Sequence, residues 1–147
     1  MKIVSYRKKY QEQIFDLILT IKTNEEKMRY IKRHDLWIIK KAFLCFYVAL
    51  DDMNKVIGCC GLKEIDKESV LLARFYVQKQ NRHAGIGTVL YNKVFAFAKK
   101  HKYVDIFVGV DETCPSGISF YKKHGFVEIK DGKFISEDDD FTFYRVI

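Results

Sequence analysis

A chain of 147 residues that is 48% hydrophobic holds enough apolar material for one substantial core but is short for two, so a single domain over residues 1–147 is expected. No stretch approaches about eighteen uninterrupted apolar residues, and Met1-Lys2-Ile3-Val4-Ser5 lacks the apolar block of a signal peptide, which excludes a membrane reading and predicts a cytoplasmic protein. The formal net charge of +7 favours polyanionic partners, but the basic pairs Lys8-Lys9, Lys32-Arg33, Lys40-Lys41 and Lys99-Lys100 are scattered and no helix-turn-helix or zinc-finger pattern accompanies them, which argues against nucleic acid.

In chain order, Lys2 to Tyr6 alternate weakly as a first strand, and Ile14, Leu17, Ile18 and Ile21 share one face of a helix over 11–21. Asn24 followed by Glu25-Glu26 reads as a helix start whose acids complement the dipole, and predicts a second helix to about Arg33. Phe43 to Leu50 and Val56 to Leu62, joined by Asp51-Asp52-Met53-Asn54, read as an antiparallel hairpin in which Gly58 and Gly61 mark a bulge. Val70 to Val77 is a nearly unbroken apolar run, as expected of a central strand covered on both faces. After a glycine loop, Ile86, Leu90, Val94, Phe97 and Ala98 recur at helical spacing up to His101, with Lys99-Lys100 suiting the C-terminus. Tyr103 to Val110 is the next strand, parallel to the central one given a right-handed crossover. Pro115-Ser116 open a short helix through Lys123 that Gly125 ends. Phe126 to Lys130 and Phe141 to Val146 are closing strands, joined across Asp131-Gly132 and the acidic run Glu137 to Asp140. These elements alone predict an α/β or α+β chain with one mixed sheet. Cys45, Cys59, Cys60 and Cys114 show no metal-ligand spacing and three of them lie in apolar runs, so free, structural thiols and no metal are expected.

The chemistry concentrates in Arg82-His83-Ala84-Gly85-Ile86-Gly87, at the mouth of the helix that begins near Thr88. Glycines there let main chain approach a ligand, and the N–H groups and dipole of a helix start attract an anion, typically a phosphate. By itself the loop fits a simple tight turn equally well. It is neither a dinucleotide fingerprint, since Leu90 stands at the third glycine position, nor a P-loop, since no Gly-Lys-Ser/Thr follows.

Arg82 to Gly87 resembles the acetyl-CoA loop of the GNAT acetyltransferase superfamily: Arg or Gln, two residues, Gly, one residue, Gly or Ala. Phe75-Tyr76-Val77 is similar to the end of that family's fourth strand, and Ile118 to Phe126 to its Ile-x-Phe-Tyr-x-Lys-x-Gly-Phe segment. The resemblance implies a mixed, mostly antiparallel sheet of about six to seven strands flanked by about four helices. It also implies that the fourth and fifth strands splay apart to admit the cofactor's thioester arm. The function it implies is transfer of an acetyl group from acetyl-CoA to a primary amine of a small molecule or protein, with the acceptor set by residues 21 to 40 and the carboxy-terminal strands. A non-catalytic acyl-CoA-binding module and, further off, a basic nucleic-acid-binding domain are the alternatives, and a homodimer is compatible with either.

Such a transfer needs an uncharged amine, a held carbonyl, stabilisation of charge on its oxygen and a proton for the departing thiolate. By the resemblance, main-chain groups of Phe75, Tyr76 and Val77 hold the pantetheine arm. The N–H groups of His83, Ala84, Gly85, Ile86, Gly87 and Thr88 hold the pyrophosphate, and Arg82 either adds charge or ties the turn by a salt bridge. Tyr121 matches the family's general acid, against the alternative of a core aromatic. Ala73 stands where some members carry a glutamate, so the base is sought in Glu64, expected at the hairpin end facing the same opening, or in a water relay. Cys114 replaces an asparagine that contacts the cofactor arm, which weakens that polar contact because a thiol donates poorly, and Gly117 replaces the usual alanine.

Overall fold

The computed structural model describes residues 1–21, 34–110, 115–129 and 143–147. The helix expected at 24–33, the thiol of Cys114 and the turn at 131–140 lie outside these residues. The described elements are β1 (Lys2–Ser5), α1 (Gln11–Ile21), α2 (Ile39–Ala42), β2 (Cys45–Leu50), β3 (Val56–Glu64), β4 (Ser69–Val77), α3 (Ile86–Lys100), β5 (Asp105–Val108), α4 (Pro115–Lys123), β6 (Val127–Glu128) and β7 (Phe143–Val146), with a 3-10 turn at His34–Leu36. They form a seven-stranded sheet in the order β1-β2-β3-β4-β5-β7-β6. Only the β4–β5 pair is parallel, which makes α3 its crossover. No helix among the described residues is long and apolar enough to cross a membrane.

Each face of the sheet has its own core. α1 brings Ile14, Leu17 and Ile18, and α2 brings Ile39, onto Val48, Leu50, Val56 and Cys59. α3 brings Leu90, Tyr91, Val94 and Ala98 onto the opposite face, where Cys60, Leu62, Val70, Leu72, Ile106 and Val108 meet them and Tyr121 of α4 joins. The hairpin turn forms as its residues dictate, with Asp51 Oδ1 accepting from the N–H groups of Met53 and Lys55 at 2.9 Å each and Asn54 left-handed at φ 62°. Cys45, Cys59 and Cys60 carry free thiols. Burial pushes Cys45 and Cys59 up to about 12 and Cys60 well above its ordinary value, so these sulfurs stay protonated and pack as small hydrophobes.

The sheet departs from regularity at the two glycines. Beside Gly58 the β2–β3 register shifts, and beside Gly61 the β3–β4 register shifts. At the second shift the extra residue belongs to β4: Cys59 faces Tyr76 and Gly61 faces Ala73, leaving Arg74 and Phe75 opposite Cys60 alone. Arg74 is left-handed at φ 56°. The insertion reverses side-chain parity. Val70 and Leu72 pack under α3 and Ala73 points the other way, so unbroken alternation would send Phe75 to Ala73's side; instead Phe75 and Val77 join the α3–α4 face and Tyr76 the α1 face.

Candidate active site

Two features meet at the C-terminal end of β4. The β4–β5 ladder stops at the Leu72–Val108 pair, whereas β4 continues through Ala73 to Val77 along β3. Strands that part in this way open a gap flanked by main-chain polar groups. The glycine loop follows directly: Gly85 caps α3 in the left-handed conformation, φ 81°, and His83 is left-handed at φ 66°. Gly85 brings no side-chain cap and the first turn holds no acidic residue, so the leading N–H groups and the positive dipole end are uncompensated from within the helix. A Cβ built on Gly85 meets nothing within 4 Å, which marks open space over the loop.

Aromatic rings connect the loop to the parted strands. A Cβ on Gly87 lies 3.5 Å from both Phe75 Cζ and Phe120 Cε2, so the helix start rests against the residue that the bulge turns inward. Phe75 packs edge-on to Phe120 at 5.3 Å between centroids and to Tyr121 at 6.4 Å. Tyr121 is only 7% exposed, backed by Phe126 at 5.3 Å. The structure therefore brings together Phe75, Gly85, Ile86, Gly87 and Tyr121, with the main chain of Tyr76 and Val77 alongside.

Arg82 turns back from the loop. Its Nε donates to the carbonyl of Val77 at 3.1 Å, so the side chain fastens the end of β4. Ala84 and Thr88 flank the glycines at the surface and in the first helical turn.

Glu64 requires a correction. It pairs with Val70 at the start of β4, while Gly58 at the other end of β3 pairs with Val77. Seven residues at about 3.3 Å rise put Glu64 about 23 Å along the sheet from Val77, the end of β4 that leads into the glycine loop. It does not face the opening; exposed, it accepts from the Tyr103 hydroxyl at 3.0 Å. Cys114 lies outside the described residues.

A charged cluster absent from the sequence-based expectations lies on the α1 face of the bulge. Arg74 Nε and Nη2 donate to Asp35 Oδ2 and Oδ1 at 3.0 and 2.9 Å, and Lys63 Nζ lies 2.7 Å from Oδ2. The Arg74 and Asp35 side chains are 9% and 11% exposed. Burial pushes the Asp35 carboxyl up, but the hydrogen bonds and charges of Arg74 and Lys63 together outweigh it and hold the group below the usual carboxylate range. The signal for this cluster was Arg74 itself, the one charge inside the apolar run of β4.

Residues 42–128 match the Acetyltransferase (GNAT) domain family. An uncharacterized N-acetyltransferase of Methanocaldococcus jannaschii is 31% identical over 111 residues, 70% of this chain and 48% of that protein, so the chain spans about half the length of that curated relative. The crystal structure of a GNAT-family acetyltransferase from Staphylococcus aureus superposes with a TM-score of 0.87 at 29% identity, covering 99% of this chain and 98% of that one. The PaiA N-acetyltransferase of Thermoplasma acidophilum, solved with coenzyme A, shares the fold over 100% of both chains at 20% identity and a TM-score of 0.77.

Proposed function

The chain belongs to the GNAT acetyltransferase family, and from that membership we propose that it moves an acetyl group from acetyl-CoA to a primary amine by direct attack of the amine on the thioester. The observation that carries the reading is the juxtaposition at the end of β4: a strand parting from its parallel neighbour beside a glycine-opened helix start. Acetyl-CoA supplies the activated acyl group. The first-turn N–H groups of α3 receive its pyrophosphate in the space Gly85 leaves open, and the main chain of Phe75 to Val77 orients the pantetheine arm. Phe75, Phe120 and Tyr121 keep the reacting end dry, which strengthens every dipole acting on the carbonyl oxygen. Tyr121 donates its phenolic proton toward the departing sulfur. A water takes the proton that the attacking amine loses, and Glu64, bonded to the Tyr103 hydroxyl, is left outside the step.

Isothermal titration of the full chain with coenzyme A and acetyl-CoA tests binding, and a panel of small and peptide amines followed by free-thiol release tests transfer. Thiol release that depends on the amine supports catalysis; binding without release under every acceptor supports a non-catalytic acyl-CoA module. Gly87→Val aims a branched side chain at Phe75 and Phe120 beside the phosphate-facing N–H groups, so coenzyme A affinity is expected to fall about tenfold or more. Wild-type affinity in a folded Gly87→Val protein refutes the assignment of the loop.

A further inference from the structure

Arg74 occupies a conformation in which glycine is the ordinary resident. At φ 56° its Cβ crowds the following carbonyl, yet the position holds one of the longest side chains. Its guanidinium spans both oxygens of Asp35, and Lys63 completes the carboxylate from the neighbouring strand. Its carbonyl accepts from Cys59 Sγ at 3.2 Å. Side chain and main chain of this residue are thus both held on the α1 face, and the next residue, Phe75, is the one turned toward Gly87 and Tyr121.

We infer that Asp35 is a positioning residue for acetyl transfer: by gripping Arg74 it holds the left-handed backbone of the bulge, and with it the Phe75 ring and the parted end of β4 against which the thioester lies. The inference rests on the acetyl-CoA reading above. Asp35 acts through Arg74 and ties the 3-10 turn at His34–Leu36 to the strand that orients the cofactor arm. Without the grip the bulge relaxes, Phe75 loses its fixed direction, and misplacement of reacting groups by about 1 Å costs as much as about 10² in rate.

The test separates a backbone role from a charge role. Arg74→Gly and Arg74→Ala both remove the guanidinium, but only glycine takes a positive φ freely. With an accepted amine in hand, kcat of Arg74→Gly is expected to exceed that of Arg74→Ala about tenfold. Asp35→Asn is expected to lower kcat about tenfold in the wild-type background, to change KM for acetyl-CoA less than about threefold, and to cost less than about twofold in the Arg74→Gly background. Equal kcat in Arg74→Gly and Arg74→Ala overturns the inference, as does an Asp35→Asn effect that appears only in the KM of the acceptor, which would make the cluster a direct acceptor contact. Where Asp35→Asn does not fold, wild type against Arg74→Gly decides: glycine keeps the positive φ and removes the grip, so kcat equal to wild type overturns the inference. Coenzyme A titration of wild type is done first: absence of binding removes the acetyl-transfer reading and this inference with it, whereas binding followed by equal Arg74 variants removes only the role of Asp35.

Discussion

Tyr121→Phe isolates the proton from the ring. Phe75 at 6.4 Å and Phe126 at 5.3 Å pack against the ring itself, and the residue is 7% exposed, so phenylalanine fills the same volume. Loss of a hydroxyl costs about 1 kcal/mol or less, which for a chain of this size lowers Tm by at most about 2–4 °C. Loss of general acid catalysis typically costs about 10² to 10⁴ in rate. A thiolate whose conjugate acid has a pKa near about 8.5, by analogy with Cys, already leaves fairly well, so the expected fall in kcat is about 10². An acid that works by donating a proton to the leaving thiolate gives wild type its advantage at neutral pH, so both proteins are compared from about pH 6 to 9. Free-thiol release at saturating acetyl-CoA and amine, read for both proteins across that range, measures it. Wild-type kcat in the variant at every pH refutes Tyr121 as the acid.

Two stability predictions follow from the same geometry. A Cβ on Gly61 would lie 2.6 Å from Phe43 Cδ1 and 2.7 Å from Phe46 Cδ2, so Gly61→Ala is expected to cost about 1–3 kcal/mol and lower Tm by several degrees in thermal unfolding; an unchanged Tm refutes the close approach. Asp35 titrates below the usual carboxylate range when folded, so its contribution is fully present above the unfolded pKa of about 3.9 and is lost as pH falls through the lower folded value; the stability gap between wild type and Asp35→Asn in urea unfolding should be constant above about pH 5 and close below about pH 4.

The parts of the fold visible in the sequence were those written in short-range patterns. The apolar face of α1, the Asp51 turn and the helix from Ile86 are local periodicities or turn chemistry, and each formed where expected. Strand ends were less legible, β5 running only from Asp105 to Val108, because where a ladder stops depends on the neighbour and not on the strand's own residues. The bulge was signalled at Gly61, but its extra residue lies on β4, where side chains are apolar on both faces and parity leaves no trace in composition. Glu64 was misplaced for a reason the topology contains: in an antiparallel pair the end of β3 lies beside the start of β4, at the opposite end of that strand from the glycine loop. Asp35 sits in a segment without periodicity, and only its partner inside β4 could have pointed to it.

That partner also explains why position 74 is not a glycine. A glycine would adopt φ 56° without the roughly 1–2 kcal/mol that a left-handed L residue costs, and would leave β4 bulged. Arginine accepts that cost and in return makes two charge-assisted hydrogen bonds to a carboxylate, each worth about 1.5–3 kcal/mol where both groups are enclosed, less the desolvation of the charges. The net stability of such a pair is small, so strain and grip nearly cancel. What does not cancel is direction: glycine at the bulge leaves the backbone several conformations, whereas Arg74 held by Asp35 and Cys59 leaves one, and that one aims Phe75 at Gly87. An arginine here is therefore better understood as fixing where the parted end of β4 points than as stabilising the fold.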